Sequence, residues 1–368
     1  MYNRIIEYTN RYNYMNHIKW PSIKQFRDVV KNVEHKSRFV RVEEDGTVVM
    51  NRHAPVPTLK YEGTVKLHGT NASIVLHTTG DVYAQSRVRV ITPEKDNAGF
   101  AMFVAKNEVL IRKLMFSILD YAPNGIGLYQ TPVIFGEWYS GNIQQNVGIN
   151  GMPRVFVVFG ISFANNEGEK YHLPRKDVEM ITGRLNNGEL TDASIFCIYD
   201  FPTFNVSIDF DYPHLVQNEL NDITLAVEKC CPVANAFGIQ GIGEGVVWRC
   251  VEPGYEDSGF WFKVKGEAHS KSKVKTLATV DVERINNVNE LAERLVNVRA
   301  EQMYQETFDT LNGGTGDIKR TGDFIKAVIA DIFKEDLDMV AASGFTSKDI
   351  KGPVSKIARA FLMKKLEF

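Results

Sequence analysis

Lys66-Leu67-His68-Gly69-Thr70-Asn71 is the stretch on which the reading of this chain turns. A lysine followed three residues later by a glycine is common by chance, so the surroundings carry the weight. Ala72 to His77 is rich in small and β-branched residues and reads as a strand. A lysine at the end of one strand can point into a pocket between sheets. Gly69 then lets the backbone turn beside a bulky ligand, and Asn71 offers amide contacts.

A lysine amine is a nucleophile only when neutral, and its reference pKa of about 10.4 leaves it protonated near neutral pH. Nearby positive charge or a bound metal would lower that value. Both can come from later in the chain. Lys263 and Lys265 alternate on an apolar strand, so both can face one pocket. Glu137, in Phe135-Gly136-Glu137-Trp138, and Glu244, in Gly243-Glu244-Gly245-Val246-Val247-Trp248, are carboxylates in apolar strand surroundings. Such a glutamate can hold a ribose hydroxyl or a magnesium ion. Singly, each residue has an ordinary use: a solvated lysine, a strand-end ion pair for Glu137, a structural histidine at 68, an exposed face for Lys263 and Lys265. Their joint occurrence in this order is the signal.

Outward from this stretch, residues 61 to about 275 read mainly as strands. Thr131 to Trp138, Val155 to Phe163, Gly245 to Val251 and Gly259 to Lys265 are rich in Val, Ile, Phe and Trp, and a helical stretch at Ala101 to Leu119 interrupts them. Strands without regular βα alternation predict an α+β fold with antiparallel sheets. Residues 1–60 are rich in Tyr, Asn and Arg, with one helix expected over Ser22 to Val33, capped by Ser22. After about 280, Val288, Leu291, Leu295 and Val298 recur at helical spacing. Phe324, Val328, Ile332, Ile357, Phe361 and Leu362 suggest two further helices. The expected organisation is therefore 1–60 packed on a central domain 61–280, then a small helical domain 281–368.

The 368 residues are 44% hydrophobic and 24% charged, the composition of a soluble globular protein. A net charge of −2 means that any basic surface is local. No run approaches the roughly 18 apolar residues of a membrane span. The N-terminus lacks an apolar signal core, and the four cysteines form no CxxC pair. A cytoplasmic protein with reduced thiols is expected. The P-loop pattern GxxxxGK[ST] is absent.

Taken together, the motifs resemble those of the covalent nucleotidyltransferases, and among them the RNA ligase 2-like family of phages and RNA-editing ligases. Lys66-Leu67-His68-Gly69-Thr70-Asn71 is similar to the nucleotidyl-lysine motif, with histidine where DNA ligases and capping enzymes usually carry aspartate. Ser86-Arg87 resembles the following arginine motif. Phe135-Gly136-Glu137-Trp138, continuing to Gly141 through Val147, resembles the motif with the ribose-binding glutamate. Val157 to Ile161 is similar to the strand whose aromatic ring stacks on adenine, and Glu244 to Trp248 and Phe262 to Lys265 resemble the last two motifs. Many relatives have Glu where Val65 stands and an acidic residue where Gly160 stands.

The resemblance implies a nucleotidyltransferase (ATP-grasp-like ligase) domain followed by a small all-helical domain. It implies ATP-dependent joining of RNA 3′-OH and 5′-phosphate ends, at nicks in duplex RNA. The intermediates would be AMP on Lys66 and AMP-capped RNA, with Mg2+ or Mn2+ as metal. Glu137 would bind the ribose, Phe159 would stack on adenine, and Asn71 and Arg87 would contact the nucleotide. Arg87 would also touch the phosphate at the break. Lys263 and Lys265 would hold the α-phosphate, Glu244 would help bind metal, and His68 would act in later steps. Lys271, Lys273 and Lys275, interleaved with small residues after the last motif, suit RNA phosphate contacts. No membrane and no obligatory protein partner is expected. A DNA ligase or capping guanylyltransferase is the rival enzyme reading, and a catalytically silent RNA-binding relative the rival from another class.

Overall fold

The computed structural model describes residues 16–51, 54–121, 131–139, 153–165, 167, 169–184, 188–266, 281–308, 310 and 314–366. The chain divides into two compact units, Met1–Ala278 and Thr279–Phe368.

In chain order, the first unit contains α1 (Phe26–Arg38), β1 (Phe39–Val42), β2 (Val48–Met50), β3 (Thr58–Lys66), β4 (Thr70–Leu76), β5 (Val82–Ser86) and β6 (Val90–Ile91). Next come α2 (Phe100–Lys106), α3 (Glu108–Asp120), β7 (Thr131–Tyr139), β8 (Val155–Ala164), β9 (Lys170–His172), α4 (Arg175–Arg184), α5 (Glu189–Asp192) and β10 (Ile195–Cys197). It ends with β11 (Thr203–Asp209), α6 (Gln217–Lys229), α7 (Pro232–Ala236), β12 (Gly245–Cys250) and β13 (Phe262–Lys265).

Two sheets dominate. A larger one runs β10-β8-β7-β4-β5-β6, with β9 also on β8; a smaller one runs β11-β3-β12-β13. Every pairing is antiparallel except β10 with β8, so the α+β expectation holds with one parallel edge. Helices α2 and α3 cover one face of the larger sheet, where Phe100, Ile111, Leu114 and Ile118 pack on Ile134, Trp138 and Phe156. Inward residues of the smaller sheet, among them Tyr61, Trp248 and Phe262, pack with Val29 and Val33 of α1 and Leu220 of α6.

Three sequence expectations are corrected. The helix expected from Ser22 starts at Phe26. Lys24 bridges Phe262 in parallel; its N–H donates to Trp261 O at 3.2 Å and its carbonyl accepts from Lys263 N at 3.2 Å. Those backbone groups serve the sheet, and Gln25 and Asp28 form the capping box instead. The helical stretch at 101–119 is two helices, because Asn107 closes the first by donating from both backbone N–H and Nδ2 to Phe103 O. The last expected strand begins at Phe262, since Ser258–Phe260 is a 3-10 turn held by the Asp257 carboxylate.

The second unit is helical: α8 (Val282–Phe308), α9 (Thr321–Glu335), α10 (Leu337–Ala342) and α11 (Ser347–Lys365). Val288, Leu291 and Leu295 are buried as expected, but Val298 is 68% exposed. Ala292, Val296 and Ala300 carry the buried stripe instead. Phe324, Val328, Ile332 and Leu362 join the same core. Among the described residues, no helix is long and apolar enough to cross a membrane.

Candidate active site

Period-two alternation decides which side chains reach the cleft between the two sheets. On β3, Leu59, Tyr61 and Val65 enter the core, which turns Thr64 and Lys66 to the other face. On β12, Val246, Trp248 and Cys250 are buried, leaving Val247 and Arg249 on the cleft side. On β13, Phe262 and Val264 are buried, leaving Lys263 and Lys265 there. On β7, Ile134 and Trp138 pack beneath the helices, so Glu137 faces the cleft. The result is a cavity of about 550 Å³.

All of the expected site residues that fall among the described ones line this cavity: Lys66, His68, Asn71, Arg87, Glu137, Phe159, Glu244, Lys263 and Lys265. Lys271, Lys273 and Lys275 lie outside the described residues, as does the stretch from Gly141 to Val147.

Strand register explains the centre of the site. β12 lies between β3 and β13, and Gly245 pairs with Lys66 on one side and with Lys265 on the other. Glu244, the preceding residue, therefore meets both lysines. Its carboxylate accepts a short hydrogen bond from Lys66 Nζ and lies 2.6 Å from Lys265 Nζ. His68 Nδ1 is 4.0 Å from the same carboxylate. Burial pushes the Glu244 carboxyl up, but the Lys66 and Lys265 ammonium groups outweigh it and the net shift is down. Burial holds the Lys263 ammonium below its ordinary value, reinforced by the charges of Lys265, Lys66 and Arg87.

Glu137 is different. Burial raises its carboxyl to about 7, against the lowering influence of Lys66 and of the Gly69 N–H, which donates to Oε1 at 2.9 Å. Asn71 stands directly across from it on β4. Gly69 is needed for close approach: a Cβ there would lie 2.5 Å from Trp138 O. The sequence reading assigned that glycine to a turn beside a ligand, whereas its nearest neighbours are the strand carrying Glu137.

Six cationic side chains line the cavity (Lys19, Lys66, Arg87, Arg249, Lys263 and Lys265) against the two carboxylates. In a chain of net charge −2 this is a local positive field suited to a polyphosphate. No group of three or more His, Cys, Asp or Glu that could hold a metal occurs among the described residues. Magnesium is commonly held by one or two carboxylates plus substrate phosphates, and Glu244 supplies hard oxygen donors of that kind.

Sequence reasoning missed Lys19, Trp20 and Arg249. The first two lie on the segment before α1, where no periodic pattern points to a site. Arg249 was visible as the cleft-facing partner of Val247 on β12, two residues further along the same strand.

The RNA ligase family's sequence model matches residues 59–265, more than half of the chain. No curated protein matches. Among solved structures, a Naegleria gruberi RNA ligase mutant with ATP and Mn is similar at 13% identity and a TM-score of 0.42, over 68% of this chain and 57% of that one. The Naegleria gruberi RNA ligase with PPi is similar at 14% identity and a TM-score of 0.42, over 69% of this chain and 59% of that one. The chain thus spans less than two thirds of the length of those structures. On the family match, this chain belongs to the RNA ligase family.

Proposed function

We propose that the chain is an ATP-dependent RNA ligase working in the cytoplasm, with residues 61–280 as its adenylyltransferase domain. Residues 1–60 would pack on that domain, and 281–368 form a helical C-terminal domain. The observation that carries the reading is the meeting of Lys66, Glu244 and Lys265 at the ends of three adjacent strands, inside a cation-lined cavity.

Lys66 Nζ attacks the α-phosphorus of ATP; the N–P bond forms as the bond to pyrophosphate breaks in line. Lys263 and Lys265 stabilise charge developing on the α-phosphate, as fixed cations do in a partly dry site. Glu137 holds the ribose, Asn71 and Arg87 contact the nucleotide, and Phe159 stacks on adenine. A divalent cation bound at Glu244, Mg2+ or Mn2+, would offset charge on the phosphates. Glu244 also holds the Lys66 ammonium in the free protein, so Lys66 leaves this ion pair and gives up a proton to solvent before the neutral amine attacks. AMP then passes to an RNA 5′-phosphate, where Arg87 also contacts the phosphate, and an adjacent 3′-OH displaces it. His68 acts in these later steps. A nicked RNA duplex is the preferred substrate.

Two assays test the reading. Pure protein with labelled ATP and magnesium should acquire a covalent adenylyl label; labelled GTP should not substitute. Label from GTP alone would indicate a capping enzyme, and no label at all a silent relative. Nicked RNA duplex should then be sealed faster than nicked DNA duplex or single-stranded RNA, and the reverse order would overturn the RNA assignment.

A further inference from the structure

Residues 16–24, ahead of α1, form a strap from one sheet to the other across the cleft. At one end, Asn16 O accepts from Tyr83 OH at 2.9 Å and from Gln85 Nε2 at 3.0 Å, and Ile18 N–H donates to Gln85 Oε1 at 3.3 Å. At the other, Lys24 bridges β13. Between these ends Trp20 lies against the cleft face of the larger sheet, its ring 4.9 Å from Phe135 and 5.2 Å from Phe159 in an edge-on contact. Trp261 stacks on the same ring at 5.5 Å.

The strand beneath Trp20 is irregular at one point. Phe135 pairs with Gly160 and Gly136 with Val158, so Phe159 is the extra residue of a β-bulge. The bulge shifts the parity of β8: Phe156 and Val158 face the helices before it, and Ile161 and Phe163 after it. Phe159 is thereby aimed into the cleft, whose lining it shares with Val247 of the other sheet. As the bulged residue, Phe159 has no register partner on β7; its carbonyl accepts from Arg249 Nη2 at 2.8 Å, which ties its backbone to β12 and leaves the ring to be placed by its neighbours. Trp20 fills the space beside it, and only glycine at 160 permits this. A Cβ on Gly160 would lie 2.5 Å from Trp20 Cη2 and 2.9 Å from Cζ3.

We propose that Trp20 is a positioning residue for base binding: the strap presses its ring against Gly160 and Phe159, and so fixes the Phe159 face before a nucleotide enters. The proposal rests on the reading of Phe159 as the ring that stacks on the base. It also gives a use to part of the first 60 residues and a reason for Gly160. Stacking geometry is sensitive to ring placement, and a ring already held loses less freedom on binding.

The test is a double-mutant cycle read by the ATP concentration giving half-maximal adduct formation, with ATP affinity measured separately by equilibrium dialysis in chelator. Trp20→Ala should raise both values roughly tenfold, the order expected from losing an aromatic contact, while the rate at saturating ATP stays within about twofold. Trp20→Phe should recover most of the loss. Gly160→Ala should resemble Trp20→Ala, because its Cβ displaces the ring. In the Trp20→Ala background the Gly160→Ala change should have almost no further effect, since nothing remains to clash with. Additive effects, unchanged ATP affinity in both single variants, or a saturating rate that falls in step with affinity would overturn the proposal. Should Trp20→Ala fail to fold, Trp20→Phe and Gly160→Ala decide it by the same affinity and rate readouts. Failure of the ligase reading is distinguishable: wild-type protein would bind ATP in dialysis yet take no label.

Discussion

Glu137→Gln isolates what it costs to keep a carboxylate in the cavity. Burial raises the Glu137 carboxyl to about 7 from an ordinary value of 4.5. The folded value exceeds the unfolded one, so the protonated form favours folding. That contribution is complete below the unfolded value and is lost as pH rises through the folded one. The difference is worth about 3 kcal/mol at high pH, and solvent in the open cavity reduces it to roughly 1–3 kcal/mol. Glutamine keeps an oxygen for the Gly69 N–H, now 2.9 Å from the carboxylate, but carries no charge to bury. Melting of the nucleotide-free proteins should therefore nearly coincide at about pH 4, below the unfolded value. At about pH 8 the variant should be the more stable, by roughly 2–5 °C. Calorimetry of both proteins across this range reads the effect. A variant less stable at the higher pH, or a difference that does not change with pH, would refute the burial argument. On the proposed ribose contact of Glu137, adenylylation should fall in the variant at every pH, because an amide binds a hydroxyl less well than a carboxylate.

Gly69→Ala should abolish most adduct formation and destabilise the first unit by roughly 1–3 kcal/mol, since the added carbon meets Trp138 O at 2.5 Å; gel labelling and melting check both. Thr346→Ala should destabilise α11 by about 1 kcal/mol, because its hydroxyl accepts from Asp349 N–H in a capping box. Faster amide exchange in the first turn of that helix would register the loss, and unchanged exchange would contradict it. Lys271, Lys273 and Lys275 changed together to alanine should weaken sealing more than adenylylation and flatten the salt dependence of RNA binding. Equal loss of both steps would remove them from the RNA surface.

Much of the first unit was legible because its strands are short apolar runs whose turning points are glycines and charges. The gathering of Lys66, Glu137, Glu244, Lys263 and Lys265 was legible for a related reason. Each sits on or beside a strand whose alternate residues are large and apolar, so period two leaves one direction for it. The strap was not legible. Its partners are Gln85 and Trp261, far along the chain, and nothing periodic in residues 16–24 announces them. Nor was the bulge at Phe159, since Val155 to Ala164 is apolar on both faces and a change of parity leaves no mark. Val298 misled for another reason. Alanines at 292 and 300 carry the buried stripe of α8, and small residues weigh little when a hydrophobic face is read from large ones.

Covalent transfer to Lys66 is tested most directly by incubating wild-type protein and Lys66→Ala with α-labelled ATP and magnesium, denaturing both, and mapping any label by peptide mass. The expected result is one adenylyl group on the peptide containing Lys66 in the wild type, and none in a variant whose melting shows it folded. Label persisting in the variant, or mapping to another lysine such as Lys263 or Lys265, would contradict the assignment of Lys66 as the nucleophile.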